Sequence, residues 1–174
     1  EAGCDSDPQN SEPLHFGMSG DKPVLDLLLK YPNVVAYVNG HTHHNAVRAF
    51  NRKGGQVPGG FWQINTASHV DFPQQSRTIE FMDNKDGTLS IFGTILNTAS
   101  SVKAPAPGSD AMQMSNSELA SLSRLLAAND PQFCSTTDGK LRPDGTCDHG
   151  GPGVAKDRNV ELLTKDPRAL WKAS

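Results

Sequence analysis

The sequence predicts an α/β fold, and three observations predict it. Lys22–Tyr31 carries Val24, Leu25, Leu28 and Leu29 on one helical face. This stretch runs straight into Asn33–Val38, whose apolar residues do not alternate, the pattern of a strand with both faces buried, as in the centre of a layered sheet. Further on, Arg77–Met82 and Thr88–Leu96 are apolar-rich runs joined by Asp83-Asn84-Lys85-Asp86-Gly87, a hairpin signal. A helix feeding a strand directly is the αβ half of a crossover unit.

Composition divides the chain. Its 174 residues suffice for one domain with a core. The hydrophobic share of 36%, with 16 glycines and 12 prolines, is low for a uniformly packed globule. A packed portion over residues 1–99 and a loop-rich portion over 100–174 are expected. The net charge of −3 is too mild to imply nucleic acid or an anionic membrane as partner. No apolar run approaches a membrane span, and Val24–Leu29 is far too short. Glu1-Ala2-Gly3-Cys4-Asp5 does not read as a signal peptide and lacks an initiator Met, so a fragment, a processed product or a truncated frame is expected. Cys134 and Cys147 flank a Gly/Asp/Pro-rich loop. A local disulfide there would point to an oxidising compartment, and two free surface thiols are equally compatible. Cys4 would then be left to pair with a segment outside the chain.

The elements follow in order. Glu1–Pro13 is polar and aperiodic, hence loop. Asp21 favours the start of the first helix through the helix dipole, and Pro32 closes it. Ala46–Phe50 and Phe61–Thr66 read as strands, separated by Gly54-Gly55 and Gly59-Gly60 turns. The hairpin loop is not a calcium loop. With Gly87 at the sixth position, Met82 and Gly93 would take the first and twelfth, and neither offers a carboxylate. Ser100–Gly108, with Pro105 and Pro107, reads as a linker. Ser115-Asn116-Ser117-Glu118 has capping-box spacing, and Leu119, Leu122, Leu125 and Leu126 form the apolar face of the helix behind it. Asn129-Asp130-Pro131 ends that helix, Phe133–Val154 reads as loop, and Asn159–Leu163 as a final short strand.

The chemistry concentrates at Asn39-Gly40-His41-Thr42-His43-His44, where the buried strand ends. In an extended segment His41 and His43 point to one side while Thr42 points away. Gly40 permits a sharp exit from the strand. Neutral imidazole is a common ligand for zinc, manganese, iron and nickel. Two histidines do not complete a site: a zinc ion takes three or four ligands, and a two-metal centre needs more groups, usually with carboxylates. Three neighbouring histidines on a solvated loop are the bland alternative. Strand ends are where layered α/β folds place their chemistry. A cupin-like site would want a Glu where Val47 and Arg48 stand, and an amidohydrolase barrel needs a longer chain.

Val35–His43, a strand followed by Gly-His-x-His, resembles the last motif of the calcineurin-like metallophosphoesterases. Gly60–His69, Pro73–Arg77, Asp86–Phe92 and Asp157–Val160 resemble an actinobacterial-type branch of that superfamily, so the likeness covers most of the chain. The resemblance implies a two-sheet αββα sandwich, with residues 1–99 its C-terminal part and 100–174 a linker, helix and loop-rich extension. It implies phosphoester hydrolysis by two divalent or transition metal ions (manganese, iron, zinc or similar) about 3.5–4 Å apart. A hydroxide bridging the ions would attack phosphorus in line. His41 would bind one ion and His43 the other. The superfamily's earlier motifs, Asp-x-His, Gly-Asp-x-x-Asp, Gly-Asn-His-Asp or -Glu, and a single His after a strand, do not occur upstream of His41. The bridging Asp and the leaving-group histidine would therefore come from a missing N-terminal half. His15 lacks the preceding strand, and a surface histidine is the plainer reading.

His44 and His69 are secondary candidates for the pocket wall, although an ordinary polar loop role is the better expectation for each. Arg48 and Arg77 have the chemistry to pair with a substrate phosphate, yet most arginines are solvated or paired with carboxylates. Asn39 and Asn65 are expected to satisfy backbone groups at strand ends. Three functional readings stand. The chain is a fragment of a phosphoester hydrolase with little turnover alone, a non-catalytic metal- or partner-binding module, or half of an enzyme assembled with a separately encoded N-terminal part. Phosphomonoesters, diesters and cyclic nucleotides all remain as substrates. Export is indicated only by the disulfide option and by the resemblance.

Overall fold

The computed structural model describes residues 24–40, 43–52, 59–129 and 151–168. They form a mixed α/β arrangement of two small sheets and few helices. His15, His41, Thr42, Cys4, Cys134 and Cys147 lie outside the described residues.

Helix α1 spans Val24–Leu29 and leads into strand β1, Ala36–Asn39. Strands β2, Ala46–Asn51, and β3, Gly60–Asn65, complete the first sheet in the order β1-β3-β2. β1 is parallel to β3, with Val38 opposite Ile64, and β2 is antiparallel to it, with Val47 opposite Ile64. The central position expected for β1 belongs to β3, and among the described residues β1 pairs on one side only. Val38 is 48% exposed, whereas Phe61, Gln63, Ile64 and Asn65 on β3 are all buried. The expectation that both faces of this strand are buried is also corrected: no residue of Ala36–Asn39 is buried among the described residues. A non-alternating apolar run shows neither what packs on a strand nor whether both of its edges are hydrogen-bonded, since both depend on distant segments.

The second sheet is antiparallel, in the order β4-β5-β6. β4, Gln75–Asp83, and β5, Thr88–Asn97, are the expected hairpin, and β6, Val160–Lys165, pairs with the far edge of β5. Gly87 takes φ +90° in the connecting loop, a conformation that costs a side-chain-bearing residue about 1–2 kcal/mol. Helix α2, Asn116–Ala128, begins with the capping box read from the sequence: the Ser115 hydroxyl accepts from the Glu118 amide, and the Glu118 carboxylate accepts from the Ser115 amide at 2.8 Å. Its Ser123 hydroxyl accepts from Gln74 Nε2, and Arg124 donates to the Thr98 and Ser100 carbonyls, which lays the helix beside the end of the hairpin.

One core joins the two sheets. Ile64 of β3, Ile91 of β5 and Leu162 of β6 are its buried centre, with Ala36, Val47, Trp62, Ile79 and Val160 packed around them. Each fully buried aliphatic side chain contributes about 1.5–3 kcal/mol. The Trp62 indole donates across the layers to the Leu163 carbonyl at 2.9 Å. Among the described residues no helix is long and apolar enough to cross a membrane.

Candidate metal centre

The β1–β2 connection carries the histidines. It leaves the sheet at the end where β1 and β3, parallel neighbours, both finish. The neighbouring strand anchors it there. The Asn39 carbonyl accepts from the Thr66 amide at 2.8 Å, and Asn65 Nδ2 donates to the His44 carbonyl at 2.6 Å. Gln63 Nε2 donates to Asn39 Oδ1 at 3.1 Å, so both strand-end asparagines act in the anchorage.

Asn45 is the second anchor and is 3% exposed. Its amide donates to the Gly151 carbonyl at 2.8 Å. Its Oδ1 accepts from the Ala67 amide at 3.1 Å, and its Nδ2 donates to Gln75 Oε1 at 2.7 Å. The Asn45 side chain thus ties this end of the connection to the residue after β3 and to the start of the hairpin, and its backbone amide ties it to the segment beginning at residue 151. That segment packs closely. A Cβ placed on Gly151 would meet Pro73 Cδ at 2.8 Å and the His43 carbonyl at 3.1 Å. Asp157 continues the clamp, its Oδ1 accepting from the Val47 amide at 2.9 Å.

His43 has φ +55°, a left-handed conformation that few non-glycine residues adopt. Its Nδ1 lies 3.0 Å from Asp71 Oδ2, with both side chains about one-third exposed (35% and 34%). Asp71 is delivered by a tight turn. The Ser68 hydroxyl accepts from the Val70 and Asp71 amides at 3.1 and 3.0 Å, the Asp71 carbonyl accepts from the Gln74 amide, and Gln75 returns to the Ser68 carbonyl. Gln74, at φ +57°, reverses the chain into β4.

An imidazole that gives its Nδ1 proton to a carboxylate carries its lone pair on Nε2. That is the state in which histidine binds zinc, manganese or iron, and carboxylate–histidine–metal relays are a recurrent form of such sites. The donor chemistry at His43 therefore fits a divalent or transition metal ion. His41, its expected partner, lies outside the described residues. Among the described residues no group of three or more His, Cys, Asp or Glu side chains is placed to hold an ion.

The other candidates resolve differently. His69 is exposed, with Nε2 3.2 Å from the Ser76 hydroxyl. His44 is exposed, and its backbone rather than its ring is what Asn65 holds. Arg77 is half buried on β4, and its Nη2 donates to the Asp157 carbonyl. Burial lowers its pKa, and the Asp157 carboxylate opposes that shift. Its guanidinium thus holds the segment after residue 151 against the hairpin. Arg48 is exposed on β2. Two residues that contact this connection escaped the sequence reading, Asn45 and Asp71. Ser68-His69-Val70-Asp71 has the spacing of a serine-capped turn, which foretells the turn but not which side chain meets the histidine.

No family model, no curated protein and no solved structure matches the chain. The functional reading therefore stands on the residues and on their geometry.

Proposed function

We propose that the chain is the C-terminal part of a two-metal phosphoester hydrolase of the calcineurin-like type, and that it supplies His41 and His43 as ligands. The observation that carries this reading is the Gly-His-x-His motif that follows β1 directly, where β1 ends beside β3, with His43 Nδ1 3.0 Å from Asp71 Oδ2. The core shared by Ile64, Ile91 and Leu162 supports the corresponding fold, one side of an αββα sandwich of two facing sheets. The metal-ligating motifs that do not occur upstream of His41 would be contributed by an N-terminal half. That half would thus hold the carboxylates and remaining histidines that two cations require.

Two bound divalent ions would supply water activation at neutral pH and neutralisation of charge on the phosphate oxygens. The chain's own residues do the positioning. His41 and His43 would each present one nitrogen. Asn65 and Asn45 tie the His44–Asn45 end of the connection to the residues at the end of β3 and just beyond it, next to His43.

Manganese binding to the chain, followed by calorimetry, tests the site. His41→Ala and His43→Ala are each expected to weaken it by at least tenfold. Chromogenic phosphodiester hydrolysis by the protein assembled with its N-terminal half tests the activity, which should require manganese and vanish in His43→Ala. Metal held through both histidines without hydrolysis would overturn the enzymatic reading in favour of a non-catalytic metal-binding module. Binding indifferent to both substitutions would overturn the site.

A further inference from the structure

We propose that Asp71 is the positioning residue of this centre: its carboxylate accepts a hydrogen bond from Nδ1–H of His43, which keeps the proton on Nδ1 and leaves the Nε2 lone pair for the metal. The inference rests on the reading of His43 as a ligand and goes beyond it by naming the group that sets the ring. No sequence spacing connects the two residues. They meet because the turn from Ser68 to Gln74 folds back over the β1–β2 connection, leaving 3.0 Å between His43 Nδ1 and Asp71 Oδ2.

Three features make the pair a built arrangement. The Asp71 backbone is held at both ends, its amide on the Ser68 hydroxyl at 3.0 Å and its carbonyl on the Gln74 amide at 2.8 Å. His43 is held at φ +55°, a conformation that persists only where surrounding contacts impose it. The two residues that follow are held as well, by the Asn65 bond to the His44 carbonyl and the Asn45 amide's bond to the Gly151 carbonyl. With the Asp71 backbone held and its carboxylate 3.0 Å from Nδ1, the imidazole is restricted in two freedoms that metal binding would otherwise have to remove: its ring rotation and its choice of tautomer. Free neutral imidazole places its proton mainly on Nε2, the wrong nitrogen for a ligand that binds through Nε2. A carboxylate at Nδ1 reverses that preference before any ion arrives. Outer carboxylates of this kind typically change metal affinity by about 10–100-fold.

The test uses the full chain, labelled with ¹⁵N, at a pH where the imidazoles are neutral. Long-range proton–nitrogen correlation should show His43 as the Nδ1–H tautomer, assigned by the signal lost in His43→Gln. Asp71→Ala should return it to mainly Nε2–H. Asp71→Asn keeps an oxygen that accepts the same proton and should retain the Nδ1–H form. Zinc affinity, by competition with a chelator, should fall about 10–100-fold in Asp71→Ala and recover in large part in Asp71→Asn. A merely structural role for Asp71 would change unfolding without changing the tautomer. A wild-type Nε2–H tautomer, or unchanged zinc affinity in Asp71→Ala, overturns the proposal. If zinc binding is indifferent to His43→Gln while the Nδ1–H tautomer is present, the ligand reading of His43 fails and takes the metal half of the proposal with it. The pairing with Asp71 then stands as measured.

Discussion

Replacing Asn45 by Ala is the most direct test of how the histidine turn is held. The side chain is 3% exposed and makes two well-formed bonds, 3.1 Å from the Ala67 amide and 2.7 Å to Gln75 Oε1. The 3.5 Å approach to the Pro152 carbonyl is too long to count for much. Losing the Oδ1 acceptor strands the amide of Ala67, itself a buried residue, which costs about 1–3 kcal/mol. Losing the Nδ2 donor costs about 1 kcal/mol, since Gln75 is only partly buried and keeps its bond to Asn97. The expected loss is therefore about 2–4 kcal/mol. With a urea slope of about 2 kcal/mol/M, the unfolding midpoint falls by about 1–2 M at unchanged slope. Amide exchange at Ala67 should accelerate in step. Asn45→Asp is the control: it keeps the acceptor for Ala67, loses the donor to Gln75, and should fall between wild type and Ala. A loss under about 0.5 kcal/mol with Ala67 exchange unchanged would refute the view that this side chain anchors the turn.

Two further outcomes follow from local geometry. Gly60→Ala should destabilise far more than Gly87→Ala. A Cβ at Gly60 would lie 1.9 Å from the Phe50 carbonyl oxygen, inside the β2–β3 ladder, whereas at Gly87 nothing stands within 4 Å. Thermal unfolding should register about 3 kcal/mol or more for the first and about 1–2 kcal/mol for the second, and equal losses would count against the strand register. Arg168→Ala should raise the Asp166 carboxyl toward its ordinary value. The Arg168 side chain, in a two-pronged contact at 2.8–3.1 Å, is the main cause that holds it low. Because the folded value is depressed, the stabilisation is present above the unfolded carboxylate pKa of about 3.9 and disappears as pH falls through the folded value. The variant should therefore lose less stability on acidification than wild type. Carboxyl NMR titration reads the shift directly, and an unmoved Asp166 would refute the assignment.

Much of the fold is legible from local chemistry. The Asp83–Gly87 turn joins two apolar runs and makes a hairpin because Gly87 accepts φ +90°. Ser115 and Glu118 begin a helix because their side chains satisfy the first free amides. The histidine turn is legible for the same reason: a strand, a glycine and ligand-type side chains are contiguous. The role of β3 was less accessible. Gly60–Asn65 is no more apolar than the run before His41, yet β3 takes the centre of the sheet, because strand order depends on which edges meet across the whole chain. Arg77 illustrates a further limit. Its chemistry fits a phosphate, and the structure engages it on the Asp157 carbonyl instead, a partner 80 residues away.

The sequence by itself determined which stretches become helix or strand, to within two or three residues at their ends, and where the chain turns between the hairpin strands, since each depends on neighbours within a few residues. Only the tertiary structure decided that β6 closes the second sheet, that Ile64, Ile91 and Leu162 share one core, and that Asp71 reaches His43. The physical reason is range. Backbone angles, capping and periodicity act over one or two turns of chain, whereas packing and paired side chains bring together residues whose separation leaves no trace in local pattern.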